Sequence, residues 1–96
     1  MLVHIVCWKY RPETDDAARS EHRTRLAALD GLVDNMLGLE VGQDILGLER
    51  SFDTGLVIRF ADEAALDEYT VHPKHQEVAA MGRNIAEKVV SVDFLT

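Results

Sequence analysis

Residues 2–10, LVHIVCWKY, alternate in a two-residue period. Leu2, His4, Val6, Trp8 and Tyr10 fall on one face, and Val3, Ile5, Cys7 and Lys9 on the other. β-Branched and aromatic residues dominate, so the pattern predicts a strand. Both faces are largely apolar, which predicts cover on both sides. Arg11-Pro12 ends it. The period then changes. Ala18, His22, Leu26, Leu29, Val33 and Met36 recur at three- and four-residue steps, predicting a long amphipathic helix. Thr14 is its expected N-cap, with Asp15 and Asp16 at the positive end of the helix dipole. Gly31 weakens the helix and Gly38 is its expected stop. His22 sits at the border of the buried stripe.

Residues 39–44, LEVGQD, predict a second strand and 45–53 a loop. Residues 54–61, TGLVIRFA, alternate again: Leu56, Ile58 and Phe60 share one face. Asp62 is set to cap a short helix containing Ala65, Leu66 and Tyr69. Pro73 interrupts, and a new helix is expected over about 74–87, with His75, Val78, Ala79, Gly82 and Ile85 as its buried stripe. Residues 88–95, KVVSVDFL, close the chain as a strand with Val90, Val92 and Phe94 on one face. The order β-α-β-β-α-β, with its second helix broken, predicts an α+β, ferredoxin-like plan: an antiparallel sheet with helices on one side. The bare face of that sheet is apolar. A second copy in two-fold symmetry is the expected cover.

Composition narrows the picture further. The 96 residues form one expected domain, 1–96, and the formal charge is −7. Only Arg19, Arg23 and Arg25 cluster among the basic residues, with Asp15, Asp16 and Glu21 between them. Nucleic-acid binding needs a basic stripe to neutralise phosphate, so nucleic acid is not an expected partner, and an anionic membrane surface is not either. No run approaches a membrane span and no leader peptide is visible, so the expected location is the cytoplasm. Cys7 is the single cysteine, which excludes an internal disulfide and a cysteine-based metal site. His72 and His75 have no obvious third ligand partner, so neither metal nor cofactor is expected.

The segment EYTVHPKH, residues 68–75, carries the chemistry. A residue before proline avoids helical backbone, so the chain must turn at His72, while Pro73 suits the first turn of the next helix. That makes His72 a helix cap. His75 falls in the first turn, where the helix dipole disfavours a positive imidazole. Tyr69 lies on the inner side of the preceding helix. A phenol and a neutral imidazole meeting around this corner can polarise a carbonyl and remove a proton beside it. The duller alternatives are a packed tyrosine and a structural histidine. His4, among Val6 and Trp8, reads either as pocket wall or as a hydrogen-bonded core histidine. Cys7 has no histidine on its own strand face to activate it.

The opening VHIVCWKYRPE, the glycine before LEVG, the strand TGLVIRFAD and the box Y-x-x-H-P-x-H resemble the stress-responsive A/B barrel domain family over nearly the whole chain. The resemblance implies a homodimer whose two sheets pack into a dimeric α+β barrel. Some plant members are polyketide cyclases of the olivetolic acid cyclase type, which close a keto chain without a cofactor. Their catalytic tyrosine and histidine fall on Tyr69 and His75, and their first-strand pocket histidine on His4. A further pocket histidine at the start of the third strand has no counterpart, because that segment reads DTGLV. The first expectation is a homodimer that binds a small hydrophobic molecule between sheet and helices, with His4, Val6, Trp8 and Val78 at the ligand. The alternative is a cofactor-independent cyclase, lyase or isomerase with Tyr69 and His75 as its acid–base pair. A second alternative is a cofactor-free monooxygenase.

Overall fold

A computed structural model describes residues 1–96. The elements are β1 (Leu2–Tyr10), α1 (Asp16–Ala27), β2 (Met36–Gln43), β3 (Thr54–Phe60), α2 (Glu63–Val71), α3 (Pro73–Ile85) and β4 (Ala86–Leu95). They form a ferredoxin-like α+β fold with a four-stranded antiparallel sheet in the order β2-β3-β1-β4. β1 is therefore central, which accounts for its two apolar faces. Its inward residues His4, Val6 and Trp8 pair with Ile58, Leu56 and Thr54 of β3 on one side. On the other they pair with Asp93, Ser91 and Val89 of β4. The helices cover this face. Trp8, Tyr10, Leu56, Ile58 and Phe60 are buried there against Leu26, Leu29, Tyr69 and Val78.

The first helix is shorter than its hydrophobic period suggests. Its N-cap is Asp15, not Thr14: the Asp15 carboxylate accepts from Ala18 N at 2.8 Å. The Thr14 hydroxyl instead donates to the Ile85 carbonyl at 3.0 Å, tying the start of α1 to the end of α3. α1 ends at Ala27, not near Gly38. Beyond it the chain descends in tight turns, with Leu29 N bonded to Leu26 O and Asp30 N to Ala27 O. Three-residue turns keep nearly the helical spacing, so Leu29 and Val33 are still buried and mimic a continuing stripe. Gly31 at φ 76° and Asn35 at φ 64° then reverse the chain in left-handed conformations. Gly38 lies inside β2, where the register against β3 shifts.

The opposite sheet face carries Val3, Ile5 and Cys7 of β1, Val57 of β3, and Val90, Val92 and Phe94 of β4, aligned by the strand register. No helix of the chain covers it. Val90, Val92 and Phe94 are 44%, 53% and 43% exposed, a contiguous apolar surface at the β4 edge. No helix is long and apolar enough to cross a membrane.

Candidate functional site

The corner between α2 and α3 forms as the local sequence dictates. His72 is extended, with φ −65° and ψ 131°, as a residue before proline must be. It ends α2 and caps α3, its Nδ1 accepting from Lys74 N at 3.1 Å. Pro73 occupies the first helical position. The reversal brings the Tyr69 and His75 rings to 4.3 Å between centroids. His4 meets the edge of Tyr69 at 6.3 Å, and Phe60 packs behind at 5.4 Å.

These residues open on one cleft of about 260 Å³ between the sheet and the helices. His4, Val6 and Trp8 form its sheet wall, Tyr69 and His75 its polar end, and Leu26, Leu56, Ala79 and Val89 further apolar surface. Five of the six expected site residues thus share one cavity. Val78 does not: it is buried in the core cluster, outside the cleft lining. Its neighbour Ala79 takes the place on the wall, because the helix turns one step of the stripe toward the core and the next toward the opening.

The electrostatics of the polar end follow from burial and from one backbone contact. His75 Nδ1 lies 3.0 Å from the Thr70 carbonyl. A carbonyl only accepts, so Nδ1 carries the proton and Nε2 is left with its lone pair. Burial lowers the His75 pKa, only partly opposed by the Thr70 bond, and His4 and Arg83 lower it further. The ring is neutral at physiological pH. Burial also pushes the Tyr69 phenol well above its usual value, so it keeps its proton and remains a donor. The one sealed side-chain polar atom without a partner is His22 Nε2. The Tyr69 hydroxyl has no partner within the chain and opens to the cleft its residue lines. A protonated phenol beside a neutral imidazole with a free lone pair is a donor–acceptor set for a carbonyl and the carbon next to it.

Sequence reasoning misses three residues here. Asp93 pairs with His4 Nδ1 across β1 and β4, fixing the ring against Tyr69. Ser91 and Arg83 also line the cleft. The available signal was the polar pair Ser91 and Asp93, interleaved with Val90, Val92 and Phe94: two polar residues facing inward in the otherwise apolar run 89–95. No group of three His, Cys, Asp or Glu side chains gathers to hold a metal.

A second polar cluster lies behind Trp8. His22 is fully buried, not bordering the stripe. Its Nδ1 is 2.7 Å from the Tyr10 hydroxyl, which donates to Thr54 Oγ1 at 2.8 Å. Thr54 opens β3, the segment where the family resemblance implies a pocket histidine, and here it is 2% exposed and serves this internal chain. Trp8 packs edge-on against His22 with centroids 5.0 Å apart. Gly82 makes that packing possible: a Cβ there would lie 2.9 Å from both His22 Nε2 and Trp8 Nε1.

A family model described as the stress responsive A/B barrel domain matches residues 2–96. The chain belongs to that family. The A/B barrel fold recurs in solved structures. A dimeric ferredoxin-like protein of unknown function from Thermobifida fusca has 19% identity and a TM-score of 0.91, over 99% of this chain and 90% of that one. A dimeric ferredoxin-like protein of unknown function from Jannaschia has 28% identity and a TM-score of 0.81, over 99% and 98%. Hydroxynitrile lyase from Passiflora edulis has 17% identity and a TM-score of 0.87, over 99% and 92%. A search of curated proteins finds no match. Within this A/B barrel the Y-x-x-H-P-x-H box is a proline-forced corner that sets Tyr69 and His75 at the end of an apolar cleft.

Proposed function

We propose that the chain is a homodimeric A/B barrel protein that binds a small apolar carbonyl compound in the cleft and performs acid–base chemistry on it without a cofactor. Tyr69 donates a hydrogen bond to the carbonyl oxygen. His75 Nε2 takes a proton from the adjacent carbon or from a hydroxyl next to it, and returns it later in the cycle. Bond making or breaking beside a carbonyl, as in an aldol cyclisation or a lyase step, has this requirement. The observation that carries the reading is the His75–Thr70 contact, which supports one tautomer and leaves Nε2 unprotonated on a ring that lines the cavity. The similarity to a hydroxynitrile lyase supports it only through the shared fold. The polyketide cyclase reading loses its third-strand histidine, so we assign the reaction class and leave the cyclase substrate aside. Dimerisation rests on the bare apolar face and on dimeric neighbours of the same fold.

The test is the pair Tyr69→Phe and His75→Ala, assayed with a panel of small keto and hydroxy compounds. General acid–base catalysis contributes about 10²–10⁴-fold, and each variant is expected to lose that order in kcat/KM. Unchanged rates in both variants would remove these residues from the mechanism. Ligand binding without turnover in the wild type would leave a binding protein.

A further inference from the structure

Resting on the reading of the cleft as a carbonyl site, we infer that Arg83 is an anion anchor and that the ligand carries a carboxylate at the end away from its reacting carbonyl. Arg83 is the one permanently charged side chain among the eleven residues that line the cleft. It belongs to none of the chain's ion pairs, which are His4–Asp93, Arg19–Asp53, Arg25–Glu21 and Arg59–Glu40. Asp93, which stands opposite the cleft residue His4 in the sheet register, is occupied by that histidine. Tyr69 and His75 are both neutral there. The cleft therefore presents one cation outside any ion pair, on a residue that solvent also reaches, in a chain whose formal charge is −7. Long-range repulsion of an anion is screened within about 8–10 Å at ordinary salt, so the local guanidinium decides what binds.

The spacing defines the ligand further. His75 and Arg83 are eight residues apart on α3, roughly 12 Å along the axis at about 1.5 Å per residue. Both side chains line the same cavity, so one ligand lying along the cleft can meet both. A compact aryl or alkyl keto acid fits a cleft of about 260 Å³. Its carboxylate meets the planar guanidinium as a two-pronged pair, a geometry lysine does not reproduce. The competing role is local: Arg83 lies in the last turn of α3, where a cation favours the helix dipole. A dipole role stabilises the fold but does not distinguish an acid from an amide.

The experiment uses the full chain and two probes of equal shape, 4-acetylbenzoate and 4-acetylbenzamide. Trp8 is the single tryptophan and lines the cleft, so its indole proton resonance reports occupancy at the site. The acid is expected to bind at least about tenfold more tightly than the amide. Arg83→Gln is expected to erase that difference while leaving amide binding intact, and Arg83→Lys to retain only part of it. The wild-type preference should shrink as salt rises. Equal affinity for both probes, or a preference that survives Arg83→Gln, overturns the anchor while the carbonyl-site reading stands. If neither probe moves the Trp8 resonance, the cleft reading fails and the anchor with it.

Discussion

Acid titration of His22 tests the interior most sharply. This ring is fully buried, and burial with the nearby Arg23 charge lowers its pKa to about 4 in the folded chain. In the unfolded chain the value is about 6.5. As pH falls, the unfolded state takes the proton first, so folding stability is complete above about pH 6.5 and drains away toward pH 4. Integrating between those two pKa values gives a loss of about 2 kcal/mol from pH 7 to pH 5. The charged ring would also have to keep its place between the Trp8 edge and the Tyr10 hydroxyl with no acid at hand. The assay is urea unfolding followed by Trp8 fluorescence at fixed protomer concentration. The partner variant is His22→Phe, which keeps the aromatic contact with Trp8 and removes the titration. The stability difference between wild type and variant should shrink, or reverse, by about 2 kcal/mol over that interval, equivalent to a midpoint shift on the order of 1–2 M urea. All other residues are the same in both proteins, so their contributions cancel in the difference. Parallel pH curves for the two would refute the assignment of His22 as a buried, neutral group.

Two further outcomes follow from packing. Gly82→Ala gains about 1 kcal/mol of helix propensity. Its Cβ would stand 2.9 Å from His22 Nε2 and from Trp8 Nε1, and overpacking against such anchored rings costs about 1–3 kcal/mol. The net effect is a lower Tm, and a Tm at or above wild type would contradict the close approach. Val92→Lys puts a charge in the middle of the bare sheet face, opposite Ile5 in register, at a position 53% exposed in the single chain. Sedimentation should give wild type at twice the 10.8 kDa chain mass and the variant as a folded monomer. A wild-type monomer at micromolar concentration would sink the dimer.

The strands were readable because alternation is a short-range signal, and Leu56, Ile58 and Phe60 announce an inward face without knowledge of their neighbours. The α2–α3 corner was readable for the same reason: Pro73 constrains His72 directly. The end of α1 was not. Leu29 and Val33 are buried through tight turns that preserve the helical spacing, so periodicity alone could not see the helix stop at Ala27. The site divides along the same line. Tyr69 and His75 are joined by local geometry, six residues apart. His4 and Asp93 are joined by sheet register across 89 residues, which no local pattern encodes. His22 looked like a border residue because its partner Tyr10, and Thr54 bonded beyond it, arrive from two different strands. Val78 and Ala79 show the limit of a stripe: adjacent positions on one buried face went to different places, one to the core and one to the cleft.

The central claim is that Tyr69 and His75 together loosen a proton on the carbon beside a bound carbonyl. Deuterium uptake at that carbon measures it without knowledge of the natural substrate. With 4-acetylbenzoate in deuterated buffer near neutral pH, proton resonance should show methyl exchange well above the buffer rate in the wild type. Tyr69→Phe and His75→Ala should each slow it by about 10²-fold or more while still binding the probe. Exchange at the buffer rate in wild-type protein whose Trp8 resonance shows the cleft occupied would contradict the account.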